Sequence, residues 1–331
     1  MISALGFAVS HPFAIKNAKG SSEELAHKQA VRDLGEQPMI VVRLISGLGN
    51  QMFQYAAGRA LSILKDTELL LDNAWYESIH ANTPRQYELG NFNISARPLG
   101  SWLRACDLQL RRRRYAYLRV LLEALDVPFA PRHIIDIQNG FDDRLAKAGR
   151  NVYLDGYWQS ECYFSGIRDT LLQEFTFRCA PDPVNSAMLE SISQCNAVCI
   201  HVRRGDYLTT VNRGIHGLCG LDYYRTAIDY IRSRVSNPTF FIFSDDPQWV
   251  ESKFPEVERM TAVTHNVGCQ DSEDLRLMMN CRHFIIANSS FSWWAAWLGQ
   301  CTDKIVVAPR RWAVSTKLSD NYRVPQGWIR F

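Results

Sequence analysis

The residues best suited to chemistry are Arg203, Arg204 and Asp206, in the run N-A-V-C-I-H-V-R-R-G-D-Y from Asn196 to Tyr207. Val198 to Val202 is short, apolar and β-branched, as a buried strand is. Alternation along it puts His201 and Arg203 on one face and Val202 and Arg204 on the other. A buried strand thus delivers cations to its carboxyl end, the edge where open α/β sheets bind ligands. Two adjacent guanidiniums there suit phosphate or carboxylate oxygens, which the planar fork holds in a bidentate way. An isolated R-R-G-D would equally suit a solvated loop.

Two more polar clusters end apolar runs in the same manner. One is Ser244-Asp245-Asp246; the other is Asn288-Ser289-Ser290-Phe291-Ser292. Hydroxyls and backbone N–H groups at a helix start form a phosphate-friendly edge. Plain helix capping would use the same serines. Asp245 and Asp246 are candidates for a metal, a ribose or the paired N–H donors of guanine. They are equally candidates for capping a helix that Pro247 opens.

Those clusters need elements to position them. Met39 opens M-I-V-V-R-L-I, a first strand, followed by the tight loop Gly47-Leu48-Gly49-Asn50-Gln51. Phe53, Ala56, Ala57, Ala60, Leu61 and Leu64 then recur at helical spacing, and Glu68 to Asp72 reads as a second strand. Trp102 to Leu125 predicts a helix containing Arg111 to Arg114, and Tyr163 to Phe177 predicts another. After Pro181 and Pro183, strands at 197–202, 239–243, 283–287 and 304–308 alternate with helices at 221–235, 271–281 and 291–298. Such alternation predicts a parallel, doubly wound sheet. The expected organisation is an extension at 1–38, dispensable for folding, a Rossmann-like half at 39–180 and a second at 181–331.

Composition narrows the function. The net charge of +3 over 331 residues gives no field for nucleic acid. Nine cysteines, an odd number with no C-x-x-C pair, fit a reducing compartment. Met1 to Ala18 lacks a basic region ahead of its apolar stretch, so a cytoplasmic location is expected. Position 52, where a dinucleotide fingerprint would carry its third glycine, is Met52. That weighs against a nicotinamide enzyme. No P-loop and no G-x-S-x-G elbow occurs, and the histidines show no metal-ligand spacing.

Three blocks together resemble the galactoside α-1,2-fucosyltransferase family: G-L-G-N-Q-M-F-Q-Y-A from Gly47, H-V-R-R-G-D-Y from His201 and N-S-S-F-S-W-W from Asn288. They span most of the chain from Met39 to about Pro309. The H-x-R-R element is also similar to one in α-1,6- and protein O-fucosyltransferases. The resemblance implies an α/β, GT-B-like fold in which two Rossmann-like domains with mainly parallel sheets face a cleft. It implies an inverting transfer of L-fucose from GDP-β-L-fucose to the 2-hydroxyl of a terminal β-galactoside, in surface glycan or lipopolysaccharide synthesis. Other fucosyl linkages, or a catalytically silent GDP-sugar-binding protein, are the alternatives.

By the same resemblance, Arg203 grips the β-phosphate, assisted by Arg204, Asn288, Ser289, Ser290 and Ser292. Asp245 or Asp246 reads guanine, His201 lines the nucleotide site and Asn50 reaches in from the amino-terminal half. No cofactor and no divalent metal is implied. Asp206 is a candidate base, or else orients an arginine. Trp75, Tyr76 and Tyr87, in a loop-rich stretch, are candidates to stack on the acceptor sugar or else to pack beneath that loop. Read from the residues alone, Arg111 to Arg114 suit either a solvated helix face or contact with anionic membrane or a lipid-linked acceptor.

Overall fold

The computed structural model describes residues 38–77, 85–101, 104–105, 116–125, 130–137, 141–205, 207, 217–254, 257–266, 268, 271–314 and 322–331. The expected extension 1–38 and the Arg111–Arg114 run lie outside these residues, Pro38 excepted.

The first half is built on β1 (Met39–Arg43), α1 (Leu48–Lys65), β2 (Glu68–Asp72), β3 (Arg97–Pro98), α2 (Ala116–Ala124), β4 (Arg132–Ile135), β5 (Val152–Asp155) and α3 (Arg168–Glu174). Its strands form one sheet in the order β3-β2-β1-β5-β4, and every pairing is parallel. β1 and β2 read as unbroken apolar runs because helices and loops cover both faces of such a sheet. α1 starts after an extended Gly47 and stops at Asp66, whose left-handed backbone (φ 50°) returns the chain to β2.

The second half runs through α4 (Pro183–Ser193), β6 (Asn196–Val202), α5 (Leu221–Arg234), β7 (Pro238–Ser244), α6 (Pro247–Lys253), β8 (Met260–Val263), α7 (Asp271–Met279), β9 (His283–Ile285), α8 (Ser290–Leu298), β10 (Val306–Ala308) and β11 (Ile329–Arg330). These strands form a second parallel sheet, ordered β11-β10-β9-β6-β7-β8. The stripe Tyr224, Ala227, Ile228 and Ile231 of α5 is buried, as its spacing predicts.

Two expectations change in detail. Tyr163 to Phe177 is not one helix: short 3₁₀ turns at Glu161–Tyr163 and Ser165–Ile167 precede α3. Phe164 sits between them off the helical backbone (φ −141°, ψ 9°), with its buried ring stacked 5.3 Å from that of Trp294. The prolines near 181 open a helix, α4, in which Asp182 caps the N–H of Asn185 and Pro183 takes the first turn.

From Pro38 to Phe331 the chain forms one compact unit. One apolar cluster runs through both halves, and a further cluster lies within each half. At the centre of the shared cluster Phe53 of α1 meets Trp293 and Trp294 of α8, with ring centres 4.5 and 5.0 Å apart.

Candidate active site

Each sheet has a topological switch point, where the strand order reverses and a crevice opens at the carboxyl ends. In the first sheet it lies between β1 and β5; in the second, between β6 and β9. The loop after β1, residues 44–47, is short: of the tight loop expected at Gly47 to Gln51 only Gly47 precedes the helix, and Leu48, Gly49 and Asn50 form the first turn of α1. The segments after β6 and β9 are Arg203-Arg204-Gly205 and Asn288-Ser289. The two switch points meet at Gly49: a Cβ there would lie 2.5 Å from the backbone N of Phe291 and from the carbonyl carbon of Ser290. Only hydrogen fits in that space.

At the end of β6 each arginine has its own carboxylate. Arg203 Nη1 lies 3.0 Å from Asp245 Oδ2, and Arg204 Nε donates to Asp246 Oδ2 at 3.0 Å. The Arg204 N–H also donates to Asp245 Oδ1 at 2.8 Å. A side chain on Gly205 would lie 2.7 Å from Asp245 Oδ2, so the glycine lets the β7 loop close on the β6 loop. Arg204 further lies 4.3 Å above the ring of Trp249. Asp246 caps α6 through the N–H of Trp249 at 3.1 Å. The aspartates therefore hold the arginines and one helix start. Both arginine side chains remain about one-fifth exposed, so their charge is oriented yet reachable.

His201 is buried behind Arg203, with its ring 5.7 Å from that of Phe291. Its Nδ1 is buried without a hydrogen-bond partner. Burial first, and the neighbouring Arg203 second, push its pKa down to about 3, so the imidazole is neutral. The serine run divides. Ser289 Oγ accepts from the N–H of Phe291 as the cap of α8, and Ser292 is fully buried with its hydroxyl on the carbonyls of Ala287 and Ser289. Ser290 is half-buried at the helix start. Asn288 is buried, its Nδ2 donating to the Trp312 carbonyl and its own carbonyl accepting from Tyr207.

Across the seam, α1's polar residues brace the loop before it. Gln51 donates to the carbonyls of Ser46 and Gln86 and accepts from the N–H of Glu88. Gln54 accepts from the N–H of Ile45 and donates to the Gly156 carbonyl. Asn50 donates to Ser46 Oγ at 3.0 Å and accepts from Gln159 at 2.6 Å. The Trp75 and Tyr76 rings lie 4.9 Å apart, with Tyr87 6.4 Å from Tyr76. The Tyr76 hydroxyl donates to the Ser46 carbonyl at 2.8 Å, tying this aromatic group to the same loop. Asp206 lies outside the described residues.

Sequence reasoning missed Glu88. It is buried, and its Oε2 has no hydrogen-bond partner. Desolvation, then the nearby Asp271 carboxylate, raise its pKa to about 8 against the opposing pull of Arg85. Its own segment supplies only Arg85, which opposes the shift, while Gln51 and Asp271 come from α1 and α7.

Residues 132–331 match the family model described as glycosyl transferase family 11. An α-1,2-colitosyltransferase of Escherichia coli is 33% identical, over 88% of this chain and 98% of its own length. This chain belongs to glycosyl transferase family 11. The family-11 match covers both the Arg203 strand end and the α8 start, whereas the G-L-G-N segment lies ahead of it. The relatives extend further toward the amino terminus. The E. coli O-antigen biosynthesis glycosyltransferase WbnK is 32% identical over 81% of this chain and 93% of its own. Galactoside 2-α-L-fucosyltransferase Sec1 of Mus musculus is 25% identical over 81% and 66%. The fold of this family-11 glycosyltransferase is GT-B-like. A GDP complex of an Arabidopsis thaliana FUT1 mutant superposes with a TM-score of 0.50 at 11% identity, over 89% of this chain and 76% of that one.

Proposed function

We propose that this family-11 enzyme moves L-fucose from GDP-β-L-fucose to the 2-hydroxyl of a terminal β-galactoside, with inversion, during assembly of a surface glycan such as O-antigen. The observation that carries the reading is the Arg203–Asp245 and Arg204–Asp246 constellation at the carboxyl ends of β6 and β7, in the half whose α8 start packs against Gly49 of α1. The acceptor oxygen attacks C1 from the face opposite GDP. The bond from C1 to the β-phosphate oxygen breaks, and its electron pair leaves on GDP. Arg203 meets that growing charge already oriented by Asp245, so no reorganisation is needed as the bond breaks. The half-buried Ser290 at the α8 start supplies a hydroxyl for the other phosphate oxygens. Charge stabilisation in this scheme needs no divalent metal. The acceptor's proton passes to a carboxylate, with Asp206 the candidate from sequence. Trp75, Tyr76 and Tyr87 offer apolar faces for the acceptor sugar on the first-half side.

The colitosyltransferase relative favours a second donor, GDP-colitose. Colitose is L-fucose without its 3-hydroxyl, so one hydrogen-bonding group separates the two readings. Purified enzyme is given each donor with a panel of β-galactosides, with and without EDTA, and the product linkage is determined by NMR. The expected product is an α-1,2 linkage whose yield is insensitive to EDTA. Failure of both donors to release GDP in an acceptor-dependent way would leave a GDP-sugar-binding protein. Loss of activity in EDTA would make Asp245 and Asp246 metal ligands.

A further inference from the structure

Around the second switch point the sheet ladders end unevenly. β6 stays paired with β7 as far as Val202, opposite Ser244. Its pairing with β9 stops two residues earlier, at Ile200 opposite Ile285. β9 and β10 pair as far as Ile285 opposite Val307, with one further bond from the Ile286 N–H to the Val307 carbonyl at 2.9 Å. The crevice opens where β6 and β9 part, and backbone carbonyls at such a point need partners from outside the sheet.

Two neighbouring tyrosines in the first turn of α5 supply them. The Tyr224 hydroxyl donates to the His201 carbonyl at 3.1 Å. The Tyr223 hydroxyl lies 2.6 Å from the Ile286 carbonyl and 3.1 Å from the Val307 carbonyl, and its proton is shared between them. Successive helix residues point about 100° apart, so an adjacent pair serves different strand ends. Burial pushes both phenols well above their ordinary range, and each keeps the proton it donates. Ahead of α5, the Cys219 thiol lies 3.5 Å from Asn288 Oδ1. His201 stands two residues before Arg203, and Ile286 two before Asn288. The hydroxyls thus hold the peptides from which both polar segments leave the sheet. Asp245, on the β7 side, holds the Arg203 side chain. Tyr224 holds the strand that carries it, where the β9 ladder has ended.

We propose that Tyr223 and Tyr224 are positioning residues: their hydroxyls fix the diverging ends of β6, β9 and β10 and so set where Arg203 meets the leaving diphosphate. The inference rests on the charge-stabilising role proposed for Arg203. Tyr224→Phe and Tyr223→Phe remove only the hydroxyls. The rings keep their packing, 5.0 Å from each other and, for Tyr224, 5.9 Å from Phe254. Each variant is made alone and together with Arg203→Lys. GDP affinity is measured by calorimetry and turnover by GDP release from GDP-fucose, at a temperature where every variant is folded. Tyr224→Phe should weaken GDP binding and lower turnover by about three- to tenfold, and Tyr223→Phe by about threefold. In the Arg203→Lys background the loss from Tyr224→Phe should shrink to less than about twofold, because the fork being placed is already gone. A hydroxyl that only stabilises the fold would lower the melting temperature and act by the same factor in both backgrounds, which would overturn the proposal. Wild-type GDP affinity and turnover in either single variant would overturn it too. Calorimetry needs no transfer, so this pattern in an enzyme that moves no fucose would sink the proposed reaction and support the positioning. Unchanged GDP affinity in Arg203→Lys would show that Arg203 does not meet the diphosphate, and the positioning role would fall with it.

Discussion

The strand end at Arg203 and the aromatic seam at Phe53 are built on opposite principles, although both come from the sequence blocks that mark the family. At the strand end, charged groups sit close to solvent and hold one another by ion pairs, Arg203 with Asp245 and Arg204 with Asp246. In the seam, Phe53, Phe164, Trp293 and Trp294 are all but fully buried, and ring packing joins the two halves. Partly exposed ion pairs contribute little to stability, whereas each large buried ring contributes several kcal/mol. One family signature therefore encodes two separable properties: charge placement at the strand end, and the rigid joint that aims it.

The largest effect should come from the seam. Trp294→Ala removes a fully buried ring and should cost about 3–5 kcal/mol of stability. Chemical denaturation should show this, while the turnover of the molecules that remain folded falls much less. A variant with normal stability would mean that the halves are not joined there. Next, Arg203→Lys keeps the charge but loses the fork. Turnover with saturating GDP-fucose should fall about 10²–10³-fold, equivalent to about 3–4 kcal/mol of barrier. The melting temperature should stay near wild type, and a parallel loss of stability would break the contrast between the regions.

Glu88 combines the two, an ionisable residue in a buried environment. Its folded-state pKa of about 8 lies above the ordinary 4.5, so the folded protein holds a proton that the unfolded chain has released. The stability associated with that proton is complete below the ordinary carboxylate range and is lost as pH rises through about 8. Glu88→Gln removes the ionisable group. Its melting temperature, relative to wild type, should therefore improve steadily from acid to alkaline pH, by the equivalent of a few kcal/mol. A pH-independent difference would show that Glu88 ionises without penalty. The smallest effect is expected for Arg204→Lys. A lysine at this position still reaches Asp246 and Trp249, and turnover should drop less than about tenfold. If Arg204→Lys proves more damaging than Arg203→Lys, the two arginines exchange roles.

What was legible in the sequence follows from how local each signal is. Val198 to Val202 and Phe240 to Phe243 are unbroken apolar runs, so the central strands of the second sheet and their polar ends could be read directly. β4, β8 and β11 are short and only partly buried, and their sequences carry no comparable run. The serines of the α8 start show the limit for sites. Ser289, Ser290 and Ser292 look alike in sequence, yet the first caps a helix, the third is sealed in the core and only Ser290 keeps an open side. Gly49 reads as half of a nucleotide fingerprint. Its structural reason is the backbone of Phe291, far along the chain.

That distance has a kinetic consequence. Phe53 lies about 240 residues ahead of its partner Trp294. Contacts between such distant positions form slowly, because a long loop must close before they stabilise anything. During synthesis the first sheet can assemble while the α1 face that will receive α8 is still bare. The nascent protein thus carries an exposed aromatic surface until α8 has been made, a period in which aggregation competes with folding. Slower growth temperature and chaperone supply should accordingly raise the soluble yield, and substitutions in the seam should lower that yield more than they lower the stability of the finished protein.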